Sequence, residues 1–181
     1  MAVITVSGLY GSGKTTVSRI LAKKLGLRYV CTGSIVRKLA ADNGMSLIDF
    51  EKKIAEKDKK YDKMVDDMQR QEAKAGDVVI DSRLGGWFVD ANLKVWLDAP
   101  VSVRSQRVSV RENVSVEEAK KRIIERDGSD VERYKNYYKI DLNDTSVYDM
   151  IIDTSKLSPE EIVSKILETP AKKSGQKKVG G

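Results

Sequence analysis

The sequence predicts an α/β fold in which helices cover a five-stranded parallel sheet. Short apolar runs alternate along the chain with longer segments whose apolar residues recur at helical spacing. The first run, VITVS, leads directly into a glycine-rich turn and then into a helix, which is the local order of a parallel α/β unit. A length of 181 residues suits one such domain.

The turn after the first strand carries a phosphate-binding pattern. Gly8, Gly13, Lys14 and Thr15 fit G-x-x-x-x-G-K-[ST], the P-loop motif. Glycines let backbone N–H groups surround phosphate oxygens, and the helix N-terminus adds partial positive charge. The alternative is a flexible turn capped by Thr15 or Thr16, but the flanking strand and helix favour the P-loop. Lys14 would then neutralise β- and γ-phosphate oxygens, and Thr15 would bind Mg²⁺.

The middle of the chain continues the alternation. GLRYVCT predicts the second strand, and GSIVRKLAADNG predicts a short helix. Ser46 with Asp49 resembles a capping box, and the apolar face after it includes Leu47, Phe50 and Ile54. A further helix, with apolar residues repeating along one face, is predicted to end at a glycine. DVVIDS predicts the third strand, and LKVWLDA predicts the fourth.

The C-terminal part begins with helical sequence from about Val101. Ser115 with Glu118 predicts the start of the next helix, and a Gly-Ser break inside ERDGSDVER predicts a mobile flap. YDMIIDT is the last strand, and Ser158 with Glu161 caps the last helix. Residues 169–181 lose all periodicity and predict a basic, disordered tail. The tail could solubilise the chain or make a weak RNA contact.

The composition excludes several kinds of chemistry. The chain has no histidine, which removes Ser-His-Asp triads and His-ligated zinc. Cys31 is the one cysteine, so no internal disulfide can form, and a small buried thiol is expected there. The net charge of +6 favours anionic partners, either nucleotides or RNA. We expect a cytoplasmic protein, because neither a signal peptide nor a membrane span is visible.

Charged residues outside the P-loop extend the candidate site. Asp81 ends a buried strand, where open α/β sheets bind ligands, and could hold Mg²⁺ opposite Thr15. In CTGSIVR a strand leads into a helix, and Arg37 lies about one turn into that helix. Arg37 is either a ligand for a second anion or an exposed helix charge. Later helices carry further arginines, whose guanidinium groups match phosphate oxygens. These are Arg104, Arg107, Arg111, Arg122, Arg126 and Arg133. A solvated helix would explain Arg107, Arg111 and Arg122, and Asp127 and Asp130 could cap and pair locally.

Several motifs occur in an order and spacing that resemble one known family. They are ITVSGLYGSGKTT, CTGSIVRKLA, VVIDSRLGG, LDAP, ERDGSDVERY and IIDTSKLSPEEIV. Together they resemble cytidylate kinases of the short archaeal type, within the nucleoside monophosphate kinases, over about residues 1–168. The resemblance implies a three-layer P-loop fold with a mobile monophosphate-binding segment at about 33–76 and a short lid at about 115–138. It implies transfer of phosphate from ATP, with Mg²⁺, to CMP and dCMP. We expect the chain to act as a monomer.

The resemblance also implies roles for individual residues. The ATP phosphates would be held by Gly8, Leu9, Tyr10, Gly11, Ser12, Gly13, Lys14, Thr15 and Thr16. Adenine would lie beside Ser155, Lys156 and Leu157. The acceptor nucleotide would be contacted by Thr32, Arg37, Gln69, Arg83, Asp130 and Arg133, with Gln69 near the base. Catalysis would depend on Lys14, Arg104, Arg126 and Arg133, and the metal on Thr15 and Asp81.

Three departures from the bacterial cytidylate kinases concern the base-reading contacts more than the chemistry. Ser82 stands where those enzymes usually have glycine, the lid has fewer arginines, and a large insertion is missing. An adenylate kinase is the nearest rival, although DSRLGG lacks the proline of that family's motif. Shikimate-type and dephospho-coenzyme A kinases are more distant rivals. A non-catalytic P-loop protein that binds RNA is the rival of another class.

Overall fold

A computed structural model describes residues 1–47, 49–50 and 59–170 of the chain. Five strands form one sheet in the order β2-β3-β1-β4-β5, and every neighbouring pair is parallel. The strands are β1 (Val3–Gly8), β2 (Arg28–Cys31), β3 (Val78–Asp81), β4 (Leu93–Asp98) and β5 (Met150–Asp153). The predicted fold class and the five predicted strands are therefore confirmed.

Both faces of the sheet are buried, which explains the apolar runs. Val6 and Val95 are completely buried on the face covered by α1 (Lys14–Leu25) and α7 (Pro159–Glu168). Val78 and Ile80 pack on the opposite face. The central strands β1 and β3 pair in register from Val3–Val78 onward, so their carboxyl ends meet at one edge.

Five more helices are described. They are α2 (Thr32–Asp42), α3 (Lys59–Ala75), α4 (Gly85–Phe88), α5 (Val101–Glu112) and α6 (Val116–Tyr138). The single turn α4 was not predicted, because GGWF is too short to show a helical period. It fits because Gly86 leaves room for the Tyr148 ring, where a Cβ would lie only 2.3 Å from a ring carbon.

The predicted break at Gly128 and Ser129 is wrong, because α6 runs continuously from Val116 to Tyr138. A helical glycine costs about 1 kcal/mol relative to alanine, which is a weak signal beside tertiary packing. Ile123 before the glycine and Tyr134 after it are both buried against other elements. A flap based on a helix break is therefore absent from this part of the chain.

The helix starts follow the predicted chemistry. The Ser115 side chain accepts a hydrogen bond from the Glu118 N–H, and Ser158 with Glu161 forms a complete capping box at α7. At the earlier start, Ser46 Oγ accepts from the Asp49 N–H at 3.1 Å.

Two predictions fall outside the described residues: the position of Ile54 on the helix after Ser46, and residues 171–181 of the basic tail. Among the helices that are described, none combines the length and apolar character needed to cross a bilayer.

Candidate active site

A cavity of about 830 Å³ opens at the carboxyl edge of the sheet. Its walls come from the turn between β1 and α1, from the ends of β2 and β3, and from helices α2, α3, α5 and α6. Helix N-termini and parallel strand ends both face this edge, which is where open α/β sheets bind ligands. The cavity is therefore the candidate active site.

Glycines determine the path of the P-loop. Gly8 has a φ of 149°, and a Cβ there would lie 2.3 Å from the Leu97 carbonyl oxygen. Gly13, with a φ of 94°, places the backbone in the left-handed region immediately before Lys14 starts α1. A side chain at Gly8 would push the loop away from β4, so the motif's glycine is required by packing.

Lys14 lies in the cavity wall with its ammonium group on the loop itself. Its Nζ donates to the Leu9 carbonyl oxygen at 2.8 Å. Burial lowers the pKa of Lys14 to about 7, and the nearby Asp81 carboxylate partly opposes that shift. A polyphosphate in the cavity would favour the charged form, so the site gains electrostatic attraction when an anion enters.

Two side chains with oxygen atoms that could bind a metal ion lie beside Lys14. Thr15 Oγ1 donates to Asp81 Oδ2 at 2.7 Å, and Tyr29 Oη donates to the same oxygen at 3.2 Å. A hydroxyl and a carboxylate are oxygen ligands of the kind that Mg²⁺ takes together with waters and phosphate oxygens. The pair proposed from sequence thus lies close enough together to share one cation.

The opposite wall of the cavity is built around a buried carboxylate. Asp130 is 3% exposed and forms ion pairs with Arg83 and Arg133, the latter at 3.2 Å. Arg133 also lies 3.6 Å from Asp62 on α3. Both arginines line the cavity, whereas Asp130 lies behind them. The resemblance implied that Asp130 contacts the acceptor nucleotide; in the structure its carboxylate pairs with two guanidinium groups that line the cavity.

Two further predicted residues lie at the start of α2. Thr32 is buried, and its Oγ1 donates to the Asp81 carbonyl oxygen at 3.3 Å. The Arg37 side chain folds back toward Gly33, where a Cβ would lie 3.4 Å from its Nη1. Arg37 therefore lines the cavity from one turn inside α2, and its side chain is exposed.

Arg126 lines the cavity from α6. Its guanidinium carbon lies 4.5 Å from the centre of the Tyr10 ring, and that of Arg111 lies 5.0 Å from the same centre. The Tyr10 hydroxyl in turn donates to Glu112. An aromatic ring on the P-loop thus holds two cations that line the cavity.

Arg104, to which the resemblance gives a catalytic role, lies behind the P-loop in the structure. It is 4% exposed and is absent from the cavity wall. Its Nε donates to the Ala99 carbonyl oxygen, and its Nη1 donates to the Tyr10 carbonyl oxygen and to Asp127. These bonds turn the guanidinium toward the back of the P-loop, so Arg104 supports the loop through the Tyr10 carbonyl oxygen.

Arg107, one turn later on α5, is a cavity residue that the sequence left as a solvated helix charge. It donates to Thr154 Oγ1 at 2.9 Å and to the Thr154 carbonyl oxygen at 2.7 Å. A longer bond of 3.4 Å reaches the Ser12 carbonyl oxygen. Arg107 and Arg111 share a helix face at i and i+4, a spacing that could have identified the pair.

Some of the remaining predicted site residues line the cavity and others do not. The cavity wall includes Tyr10, Gly11, Ser12, Gly13, Thr16, Gln69 and Leu157. Gly8, Leu9, Ser155 and Lys156 are not part of that wall. Gly8 and Leu9 act through the loop backbone, whereas Ser155 and Lys156 precede Leu157 on the loop after β5.

The position of Arg104 predicts a stability defect. Arg104→Met should lower the free energy of unfolding by about 3 kcal/mol, because it strands the partly buried Asp127 carboxylate. Urea unfolding would measure the change. Arg70→Met, which removes an ion pair with both side chains about half exposed and a contact with the Phe88 ring, should cost less than about 2 kcal/mol. Equal losses in the two variants would contradict the supporting role.

Known proteins that are similar to this chain in sequence fall into one family. Residues 3–156 match the cytidylate kinase-like family. The cytidylate kinase of Pyrococcus horikoshii is 53% identical over 161 residues, which cover 88% of this chain and 83% of that protein. The cytidylate kinase of Methanocaldococcus jannaschii is 44% identical over 165 residues, which cover 88% of this chain and 92% of that protein.

A solved shikimate kinase from Bacteroides thetaiotaomicron shares the fold, with a TM-score of 0.61. The match covers 92% of this chain and 97% of that chain at 17% sequence identity, so it concerns the fold alone. The family match over most of the chain and the archaeal relatives together show that the chain belongs to the cytidylate kinase-like family.

Proposed function

We propose that the chain transfers the γ-phosphoryl group of ATP to CMP, and also to dCMP, with Mg²⁺ bound. The names of its archaeal relatives support this activity. One structural observation carries it further, because two groups of cationic side chains suited to phosphate line a single cavity. The P-loop with Lys14 is one group, here called the P-loop side, and Arg37, Arg83 and Arg133 are the other, here called the arginine side.

The P-loop side suits a nucleoside triphosphate. Backbone N–H groups before α1, together with Lys14, would hold the β- and γ-phosphates. Thr15 and Asp81 would hold Mg²⁺, which neutralises charge on the phosphate oxygens. Arg107 fixes the loop after β5 to the P-loop through Thr154 and Ser12, and so positions the segment proposed to lie beside adenine.

The arginine side suits a nucleoside monophosphate. Arg83 and Arg133 are already oriented by Asp130, so little side-chain entropy is lost when a phosphate binds. The acceptor phosphate is ionised near neutral pH and attacks without a general base. A chain without histidine can therefore perform the reaction by positioning and charge stabilisation alone.

The transferring phosphoryl group would lie between the two sides. Lys14 would contact it from the P-loop, and Arg126 and Arg133 would contact it from α6. Charge spreads over the equatorial oxygens in the transition state, and these cations stabilise it more than the ground state. All of these side chains come from one chain, so we propose that the monomer is active.

Arg37→Ala should raise the KM for CMP by about tenfold or more, because it removes a charged ligand of the acceptor phosphate. The KM for ATP should change little. Initial rates with either substrate varied would separate the two effects. Lys38→Ala, at the exposed neighbouring position on α2, is the matched control. A rise confined to the KM for ATP would contradict the placement of Arg37 at the acceptor.

ADP release with ATP and Mg²⁺ tests the proposed function directly, with CMP, dCMP, UMP, AMP, GMP and shikimate offered separately. Fast turnover of CMP and dCMP is the expected result. A preference for AMP would keep the P-loop assignment and overturn the acceptor assignment. Turnover of none of them would favour a binding protein, and RNA binding that survives loss of Lys14 would support that rival.

A further inference from the structure

One face of α3 brings polar side chains to the cavity beside the acceptor arginines. Asp62, Val65, Asp66 and Gln69 follow one another at helical spacing, and all line the cavity. Asp66 is 6% exposed and Gln69 is 2% exposed. Buried polar groups normally have hydrogen-bond partners, so the partners of these two side chains show what the wall can accept.

Gln69 has an unused acceptor. Its Oε1 is buried, and no described residue donates a hydrogen bond to it. Its Nε2 makes one long contact, 3.4 Å from Asp66 Oδ1. An unsatisfied buried acceptor costs about 1–3 kcal/mol, so this oxygen favours a ligand that brings an N–H or O–H group.

Asp66 adds a second acceptor at the same place. Tyr138 Oη donates to Asp66 Oδ2 at 2.7 Å, which fixes the carboxylate and leaves Oδ1 with only the long Gln69 contact. Burial raises the pKa of Asp66 to about 6, although the Tyr138 hydrogen bond opposes the shift. At pH 8 the carboxylate is therefore ionised and can only accept.

Apolar side chains from α2 and from the segment after it complete this end of the cavity, including Val36, Leu39 and Phe50. Such surfaces suit the faces of a planar base. The phosphate-binding arginines Arg37, Arg83 and Arg133 line the same cavity. A nucleotide with its phosphate on these arginines could place the edge of its base against α3.

We propose that Asp66, together with Gln69, selects pyrimidine monophosphates that carry an amino group at position 4. This inference rests on the proposed function. The 4-amino group of cytosine has two N–H donors, one for each acceptor oxygen. Uracil has a carbonyl oxygen at that position, which cannot donate to either protein oxygen, and its single N3–H can satisfy one of them at most. These two side chains of α3 therefore make CMP the preferred substrate over UMP.

The test compares kcat/KM for CMP with kcat/KM for UMP at pH 8. Asp66→Asn supplies an N–H donor at the same place, so the CMP-to-UMP ratio should fall by at least about tenfold. Gln69→Met removes the second acceptor and should lower the ratio as well. Asp67→Asn, on the exposed side of the same helix, should leave the ratio unchanged.

The wild-type protein gives a second measurement that needs no variant. As the pH falls from 8 through about 6, Asp66 gains a proton and can donate to uracil, so the CMP-to-UMP ratio should fall. The other titratable or charged groups around it are Asp62, Asp67 and Arg70 on α3, and Arg133, Tyr134 and Tyr138 on α6. The phosphate group is common to both substrates, so its titration cancels in the ratio.

The outcomes separate this inference from the proposed function. Wild-type protein that turns over CMP, with a ratio unaffected by Asp66→Asn, Gln69→Met and pH, would overturn the assignment of α3 and leave the kinase activity intact. Wild-type protein that phosphorylates neither CMP nor UMP would overturn both. If Asp66→Asn fails to fold, the pH profile of the wild-type ratio decides between the two results.

Discussion

Lys14→Met should lower kcat for CMP phosphorylation by about 1,000-fold, because a neutral side chain of similar length cannot stabilise the charge of the transferring phosphoryl group. Lys14 is the one charged residue of the P-loop itself, residues 8–16, and no described carboxylate forms a salt bridge with it. Its loss therefore removes the positive charge that the loop carries directly beside the proposed phosphate site. Single-turnover measurement at saturating ATP and CMP would isolate the chemical step.

The matched control is Lys23→Met, at an exposed position in the last turn of the same helix α1. It removes one positive charge from the chain without touching the cavity, so the single-turnover rate should stay within about twofold of wild type. Thermal unfolding of both variants would show that the fold is retained. A Lys14 variant with nearly unchanged turnover would remove the lysine from the mechanism and leave the backbone N–H groups as the phosphate ligands.

Much of the fold was predictable from the sequence because its strongest signals are local. The P-loop joins a buried strand to a helix within a few residues, and each later strand is a short apolar run bounded by turn residues. The capping residues Ser115 and Ser158 marked helix starts for the same reason. The error at Gly128 shows the limit, since a local break signal was overridden by the packing of Ile123 and Tyr134.

The candidate site was less predictable because its geometry depends on helix phase and on distant partners. Arg104 and Arg107 are three residues apart on α5, and only their tertiary contacts show that one faces the back of the loop and the other the cavity. Asp66 gave no signal in the sequence. Its importance follows from burial and from a hydrogen bond with Tyr138, which lies 72 residues away.

Arg126→Met should lower kcat for CMP phosphorylation by about 100-fold, with a smaller effect on the KM of either substrate. Arg126 lies over the Tyr10 ring and lines the same cavity as both sets of proposed phosphate ligands. A cation–π contact contributes only about 1 kcal/mol near the surface, so a bound phosphoryl group can draw the guanidinium away. The stabilisation is then gained chiefly in the transition state.

Two comparisons make the Arg126 result decisive. Lys121→Met removes a positive charge from an exposed position on the same helix and should leave kcat unchanged. Tyr10→Leu removes the ring on which Arg126 rests but keeps the guanidinium, so it should retain far more activity than Arg126→Met. Equal losses of activity in Arg126→Met and Tyr10→Leu would contradict direct contact with the phosphoryl group. They would mean that Arg126 acts by holding Tyr10 and the P-loop in place, because its positive charge would have no effect once the ring is removed.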